Sequence, residues 1–317
     1  MYEDLGHGIT CIDTAYCREK MAACYLIQNN NKAAIIDTGT NFSIPNILEV
    51  LKIKNIDIVD VEYVIPTHVH LDHAGGVGEL MSLCPRASLV IHPRGAPHMI
   101  DPAKLIAGSI AVYGEKAFYK NYGKLKAVPE DRVILAEEME LDLDGRILRI
   151  IDAPGHARHH ICIVDELSEG IFTGDVFGVS YREFDTGMAA PFVFPPSTPV
   201  QFDPEAWHNT LDRLMTFNPK RMYLTHYSMV TEIEEMSSRL HFLIDEYVKI
   251  AKKYVNNSHR YQKIHEELSA ILLAEVRRCE CNLGEKEIFD LLSIDLDLNT
   301  QGIEIWLDRR QHINKRN

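Results

Sequence analysis

The sequence predicts an α/β domain followed by a helical appendage. Three observations predict it. Four β-type runs each end close to a ligand-type side chain. One decapeptide holds three histidines and an aspartate. From about residue 236 the apolar residues take up helical spacing.

The elements follow in chain order. Ala22–Gln28 and Lys32–Asp37 flank Asn29-Asn30-Asn31, a polar turn, and predict a hairpin. Pro45–Lys54 predicts a helix with Ile47, Leu48 and Leu51 on one face. Val61–Ile65 runs into Pro66-Thr67-His68, and Arg146–Ile151 into Ala153-Pro154-Gly155-His156. Gly170–Phe172 runs into Thr173-Gly174-Asp175, and Arg221–Leu224 into Thr225-His226. Strand ends that feed loops on one sheet edge gather distant residues into one site. Then come helical stripes: Leu240, Leu243, Tyr247, Ile250 and Tyr254; Tyr261, Ile264, Leu268, Ile271, Leu272 and Val276. Ile288, Leu291 and Leu292 suggest a third helix, and Ile303, Trp306 and Leu307 a short fourth. The expected division is 1–235 for the α/β domain and 236–317 for the helical extension.

The 317 residues suffice for a large domain with an appendage. With 46% apolar and 25% charged residues, the core needs no disulfide staples. A net charge of -13 argues against nucleic acid or an anionic membrane as a general partner. The seven cysteines are odd in number and scattered, which suits reduced thiols in a cytoplasmic protein. Met1-Tyr2-Glu3-Asp4 is acidic and precedes no apolar run, so it does not read as a signal peptide. No apolar stretch approaches bilayer-spanning length.

The decapeptide is Thr67-His68-Val69-His70-Leu71-Asp72-His73-Ala74-Gly75-Gly76. His68 and His70 are two apart, so on an extended segment both face one ion. Asp72 and His73 are adjacent at a bend into a helix, which turns them toward a second ion. Imidazoles and carboxylates suit zinc, iron or manganese, each of which takes four to six ligands. The decapeptide cannot fill two such spheres. His156, Asp175 and His226, all at strand ends, are the candidates to complete them. Asp175 is the natural bridge, because one carboxylate oxygen can reach each ion.

These pieces resemble the metallo-β-lactamase-fold superfamily of dinuclear hydrolases. The matching motifs are "IIDTG" at 35–39, "THVHLDHAGG" at 67–76, "APGHARHH" at 153–160, "TGD" at 173–175 and "LTH" at 224–226. The resemblance implies a four-layer αββα sandwich of two facing mixed sheets. It implies that His68, His70 and His156 hold one metal, and that Asp72, His73 and His226 hold the other, with Asp175 between them. Asp37 and His160 are expected beside the ligands, Asp37 as a hydrogen-bond partner of ligating imidazoles. His92 and His98 are read as non-ligands, and His208 and His241 as isolated histidines without a functional role.

The expected cofactors are two divalent ions, zinc first, with iron or manganese as alternatives. The expected reaction is hydrolysis of a small ester, thioester or lactone by metal-activated water, with Asp72 and Asp175 in catalytic roles. The motif is especially close to the glyoxalase II form. A phosphodiesterase of the same fold and a diiron oxygen-binding or redox protein are the alternatives, and a non-catalytic ligand-binding protein is a third class. In flavin-linked diiron relatives the position of His70 is usually glutamate. Tyr113, Phe118, Phe177, Tyr181, Phe184 and Phe192 are expected to wall the substrate pocket. The apolar stripes of the C-terminal helices suit a homodimer seam, and would look the same if they only packed on the sandwich.

Overall fold

The computed structural model describes residues 1–197 and 199–314; the side chains of Val112, Tyr113, His312, Ile313 and Asn314 lie outside the described set. The strands are β1 (Tyr2–Gly6), β2 (Ile9–Asp13), β3 (Ala23–Asn29), β4 (Lys32–Ile36), β5 (Val61–Ile65), β6 (Ser88–Ile91) and β7 (Val133–Leu135), then β8 (Met139–Leu143), β9 (Arg146–Asp152), β10 (Ile161–Asp165), β11 (Gly170–Gly174), β12 (Arg221–Leu224) and β13 (Ser228–Val230). The helices are α1 (Ile44–Ile53), α2 (Leu71–Ala74), α3 (Val77–Leu83), α4 (Ala96–Ile100), α5 (Ala103–Tyr113) and α6 (Glu115–Tyr122), then α7 (Pro204–Met215), α8 (Ile233–Tyr254), α9 (Arg260–Arg278) and α10 (Glu285–Asn314).

The strands form a seven-stranded sheet in the order β1 to β7 and a six-stranded sheet in the order β13-β12-β11-β10-β9-β8. Both are mixed. In the first, β1 to β4 pair antiparallel and β4 to β7 parallel. In the second, β8 to β11 are antiparallel and β11 pairs parallel with β12. The hairpin at Asn29–Lys32 and helix α1 fall where the sequence places them.

Period-two alternation divides the buried side chains between two cores. In β4, Ala33 and Ile35 join Ile12, Leu26, Val64 and Leu89 in a core completed by Ile47, Leu51, Val77 and Leu80 of the helices. Ala34 and Ile36 face the other way. They meet Leu148, Ile150, Ile161, Ile163 and Phe172 of the second sheet. A strand buried on both faces reads as an unbroken apolar run, as Ala33-Ala34-Ile35-Ile36 does.

Contacts divide the chain into two interleaved units. The first comprises Met1–Ala153, His159–Gly174 and Pro219–Met229; the second comprises Pro154–Arg158, Asp175–Asn218 and the chain from Val230. Both sheets belong to the first unit, save Val230 at the end of β13. The second holds α7 to α10. Here the apolar stripes Leu240, Leu243, Tyr247 and Ile250 of α8 and Ile264, Leu268, Leu272 and Val276 of α9 are buried. The sequence suggests a third helix and a short fourth beyond residue 284, but the structure has one, α10. Asn299 and Thr300, at the polar interruption between the two stripes, are buried, and Asn299 Oδ1 accepts from the Ser197 backbone N–H at 2.7 Å. That tertiary partner carries the helix through a stretch whose local pattern argues for a break. No described helix is long and apolar enough to cross a membrane.

Cys17 is exposed, the other six cysteines are buried, and none of the seven is in a disulfide. Burial pushes Cys11 up to about 12 and Cys84 and Cys279 up to about 11. Since the thiolate is the reactive form, iodoacetamide at pH 8 is expected to alkylate the folded chain rapidly at Cys17 alone. Intact-mass spectrometry checks this, and several equally fast additions contradict it.

Candidate metal centre

The decapeptide leaves β5 because its backbone is claimed elsewhere. Pro66 has no N–H to give to a ladder, and the Thr67 N–H donates to Asp37 Oδ1 at 2.7 Å. His70 stays extended and opens the short helix α2. Gly76 then allows close packing: a Cβ there would lie 2.9 Å from Thr40 O and 2.7 Å from Ile44 Cδ1.

Asp37 is the hub of the first unit's set. It is buried, and its carboxylate accepts from Thr67 N–H and Thr67 Oγ1 on one oxygen. The other oxygen accepts from His73 Nδ1 at 2.9 Å and Thr225 Oγ1 at 2.8 Å. A carboxylate only accepts, so the His73 ring proton sits on Nδ1 and the Nε2 lone pair points away from Asp37. Thr67 gives its own hydroxyl proton to Asp37, so its oxygen is an acceptor for His68 Nδ1–H at 3.2 Å. His68 Nε2 then faces His70 Nδ1 at 2.8 Å. His226, which follows β12, donates from Nδ1 to Met21 O at 2.7 Å.

The consequence is a converging donor set. His226 Nε2 lies 3.3 Å and His73 Nε2 3.8 Å from Asp72 Oδ2. One ligand atom from each of Asp72, His73 and His226 falls within 4.8 Å of the others. Two imidazole lone pairs aimed at a carboxylate repel it unless a cation joins them. The donor chemistry therefore fits a divalent ion of the zinc, iron or manganese type.

In the second unit His156 and Asp175 repeat the arrangement. His156 Nδ1 donates to Pro196 O at 2.7 Å, and Nε2 lies 3.4 Å from Asp175 Oδ2. Gly155 turns the chain here at φ +141, and a Cβ on it would lie 2.6 Å from Trp207 Cα. Trp207 Nε1 in turn donates to Val176 O, next to Asp175.

Comparison with known proteins gives this geometry a family. The model of the metallo-beta-lactamase superfamily matches residues 18–226, more than half of the chain. The chain belongs to the metallo-beta-lactamase superfamily. It is 28% identical over 217 residues to the metallo-beta-lactamase fold-containing protein ST1585 of Sulfurisphaera tokodaii, covering 67% of this chain and 75% of that one. The crystal structure of ST1585 aligns with a TM-score of 0.65 over 94% of this chain and 98% of that chain, at 23% identity. The metallo-beta-lactamase family protein TTHA1429 of Thermus thermophilus aligns with a TM-score of 0.66 at 16% identity, covering 97% and 95%. A Cryptosporiopsis protein named atrochrysone carboxyl ACP thioesterase dmxR1 is 28% identical over 153 residues, 48% of this chain; the match spans only 37% of that relative's length. Two mixed sheets with flanking helices, followed by α8 to α10, are thus the metallo-beta-lactamase fold with a helical C-terminal extension.

Around the superfamily's motifs, His160 stacks on the His68 ring at 4.9 Å between centroids, packing beside the ligand-type histidines rather than among the grouped donors. Phe118 is buried with Leu71, Tyr122 and Leu125, so it fills a small core next to Asp72. Tyr16 joins that core and is missed by the sequence reading. Its hydroxyl lies 3.1 Å from that of Tyr122, and burial, then the Asp72 carboxylate, push its pKa well up. Phe177, Tyr181, Phe184 and Phe192 are at most 1% exposed. Such side chains fill an interior rather than meet solvent. Tyr181 Oη donates to Asp295 on α10 at 3.0 Å, and Phe184 packs edge-on against Phe192. The side chain of Tyr113 lies outside the described set.

A third acid–imidazole group comprises His92, Glu137 and Asp152. His92 Nδ1 accepts from the Arg94 N–H at 2.9 Å, which leaves the ring proton on Nε2, facing Asp152 Oδ1 at 3.2 Å. In that tautomer a metal on this group would have to displace the Nε2 proton. His208 and His241, read from sequence as isolated, face each other on α7 and α8. They are 33 residues apart, and only helix packing joins them.

Proposed function

We propose that this chain is a metal-dependent hydrolase of small thioesters or esters. In this reading His68, His70 and His156 would hold one divalent ion and Asp72, His73 and His226 a second, with Asp175 serving both sets. The observation that carries it is the commitment of the outer ring protons. Nδ1 of His73, His156 and His226 each donates to a protein oxygen at 2.7–2.9 Å, so each Nε2 offers a lone pair toward a carboxylate. The order of the superfamily's motifs, with "APGHARHH" at 153–160 and "TGD" at 173–175, is the ground for joining the two sets. Asp175 directly follows Gly174, and the five residues that carry His156 are closed at their base by the Ala153 N–H to His160 O bond of 3.0 Å. The relative named as a thioesterase supports the choice of bond.

Divalent ions in such a donor set supply Lewis acidity and lower the pKa of the water they hold to about 7. The protein's own part is positional. Asp37 holds the proton of His73 on Nδ1 and, through Thr67, that of His68. Asp72 and Asp175 are acceptors and orient an incoming water through its hydrogens. Leu71, Phe118, Tyr122 and Leu125 keep one side of the Asp72 segment apolar.

The test is a panel of esters, thioesters, lactones and phosphodiesters offered to protein reconstituted separately with zinc, manganese and iron. Thioester or ester turnover is expected, falling more than about 100-fold in His70→Ala and Asp175→Ala with the circular dichroism unchanged. Equal turnover in both variants would contradict the assigned roles.

A further inference from the structure

His208 and His241 take no part in that centre. Their rings meet edge to edge, with centroids 4.9 Å apart and planes within 8°. The two Nδ1 atoms are 2.6 Å apart. At the far side of each ring Nε2 faces a carboxylate of the opposite helix. His208 Nε2 is 3.3 Å from Asp245 Oδ1, and His241 Nε2 is 3.3 Å from Asp212 Oδ1. Each helix thus contributes a histidine and, one turn later, an aspartate.

Proton accounting gives this quartet a meaning. The two Nδ1 atoms share a hydrogen bond, so one of them holds a proton in the metal-free chain. A transition cation takes that position once the proton moves to Nε2, which faces a carboxylate on each ring. Both Nδ1 atoms then offer lone pairs, and a ligating imidazole ordinarily donates its other N–H to a carboxylate.

We infer that His208 and His241 form a second-unit binding site for a divalent transition ion, held through both Nδ1 atoms and buttressed by Asp212 and Asp245. On binding, the proton between the rings moves to the Nε2 that faces a carboxylate, so both rings meet the ion as neutral imidazoles. Zinc–nitrogen distances of about 2.0–2.1 Å place two tetrahedral ligands about 3.3 Å apart, so the Nδ1 atoms need separate by less than about 1 Å. Both side chains are about one-quarter exposed, which leaves room for that movement and for water to complete the sphere. Burial, then His208 itself, lower the pKa of His241, so protons compete weakly near neutrality. The titratable groups that face the pair are Asp212 from α7 and Asp245 from α8.

The test is equilibrium dialysis of the full chain against zinc, with metal analysis, at pH 8 and pH 5. At pH 8 the wild type is expected to bind one more zinc ion per chain than His208→Ala or His241→Ala, and at pH 5 that difference disappears. Imidazole 15N spectra of the wild type decide the matter without any variant. Zinc is expected to shift Nδ1 of both rings and to leave both rings protonated at Nε2. Equal zinc counts at pH 8, or spectra that follow protons alone, overturn the inference.

Discussion

Asp37→Ala is expected to lower zinc affinity and turnover together by about 10–100-fold. The substitution removes the acceptor for Thr67 N–H, Thr67 Oγ1, His73 Nδ1 and Thr225 Oγ1 at once. The site is buried, so water does not easily replace the lost oxygens. Each buried donor left unsatisfied costs about 1–3 kcal/mol, so the urea midpoint is expected to fall as well. Asp37→Asn separates the two effects. An amide keeps one acceptor oxygen but turns N–H groups toward either Thr67 or His73. It is expected to recover most of the stability and little of the metal affinity. Competition titration with a chromophoric chelator, beside urea unfolding, reads both. Wild-type zinc affinity in Asp37→Ala would show that the ring protons are not held by this carboxylate.

Asp165→Ala is expected to destabilise the fold by about 3–5 kcal/mol. Arg146 opens β9 and Asp165 closes β10, and both side chains are at most 1% exposed. The guanidinium meets the carboxylate twice, Nε to Oδ1 at 2.9 Å and Nη2 to Oδ2 at 2.5 Å. Its Nη1 donates to His7 O at 2.7 Å, in the turn between β1 and β2. The pair therefore clamps one sheet to the other. Removal of Asp165 strands a buried charge, whereas the joint change Arg146→Met with Asp165→Leu removes both and is expected to restore much of the loss. The clamp lies at the start of β9, about 20 Å of strand from its other end at Asp152. Zinc content is expected to stay the same in the single variant. Unchanged urea midpoints in Asp165→Ala would contradict the account of the clamp.

The sequence carries these features unequally. Strand ends at Ile65, Gly174 and Leu224 are legible because each joins a β-type run to a residue type with distinct chemistry. The decapeptide is legible because four donor-type side chains crowd into six positions. The hub at Asp37 is half-legible: its place in "IIDTG" marks it, but Thr225 reaches it from 188 residues away. The aromatic run from Phe177 to Phe194 reads the same whether it walls a pocket or fills a core, since apolar content is all that local sequence records. Only burial tells the two apart. The single helix α10 and the His208–His241 pair depend on tertiary partners, and no local pattern encodes those.

The most direct measurement of the central claim is anomalous scattering from crystals grown with zinc and collected on both sides of the zinc edge. The account predicts edge-dependent density in contact with Nε2 of His73 and His226 and with a carboxylate oxygen of Asp72, and a second peak at Nε2 of His156 and Asp175. Crystals that hold zinc elsewhere, with no density at those nitrogens, would contradict it.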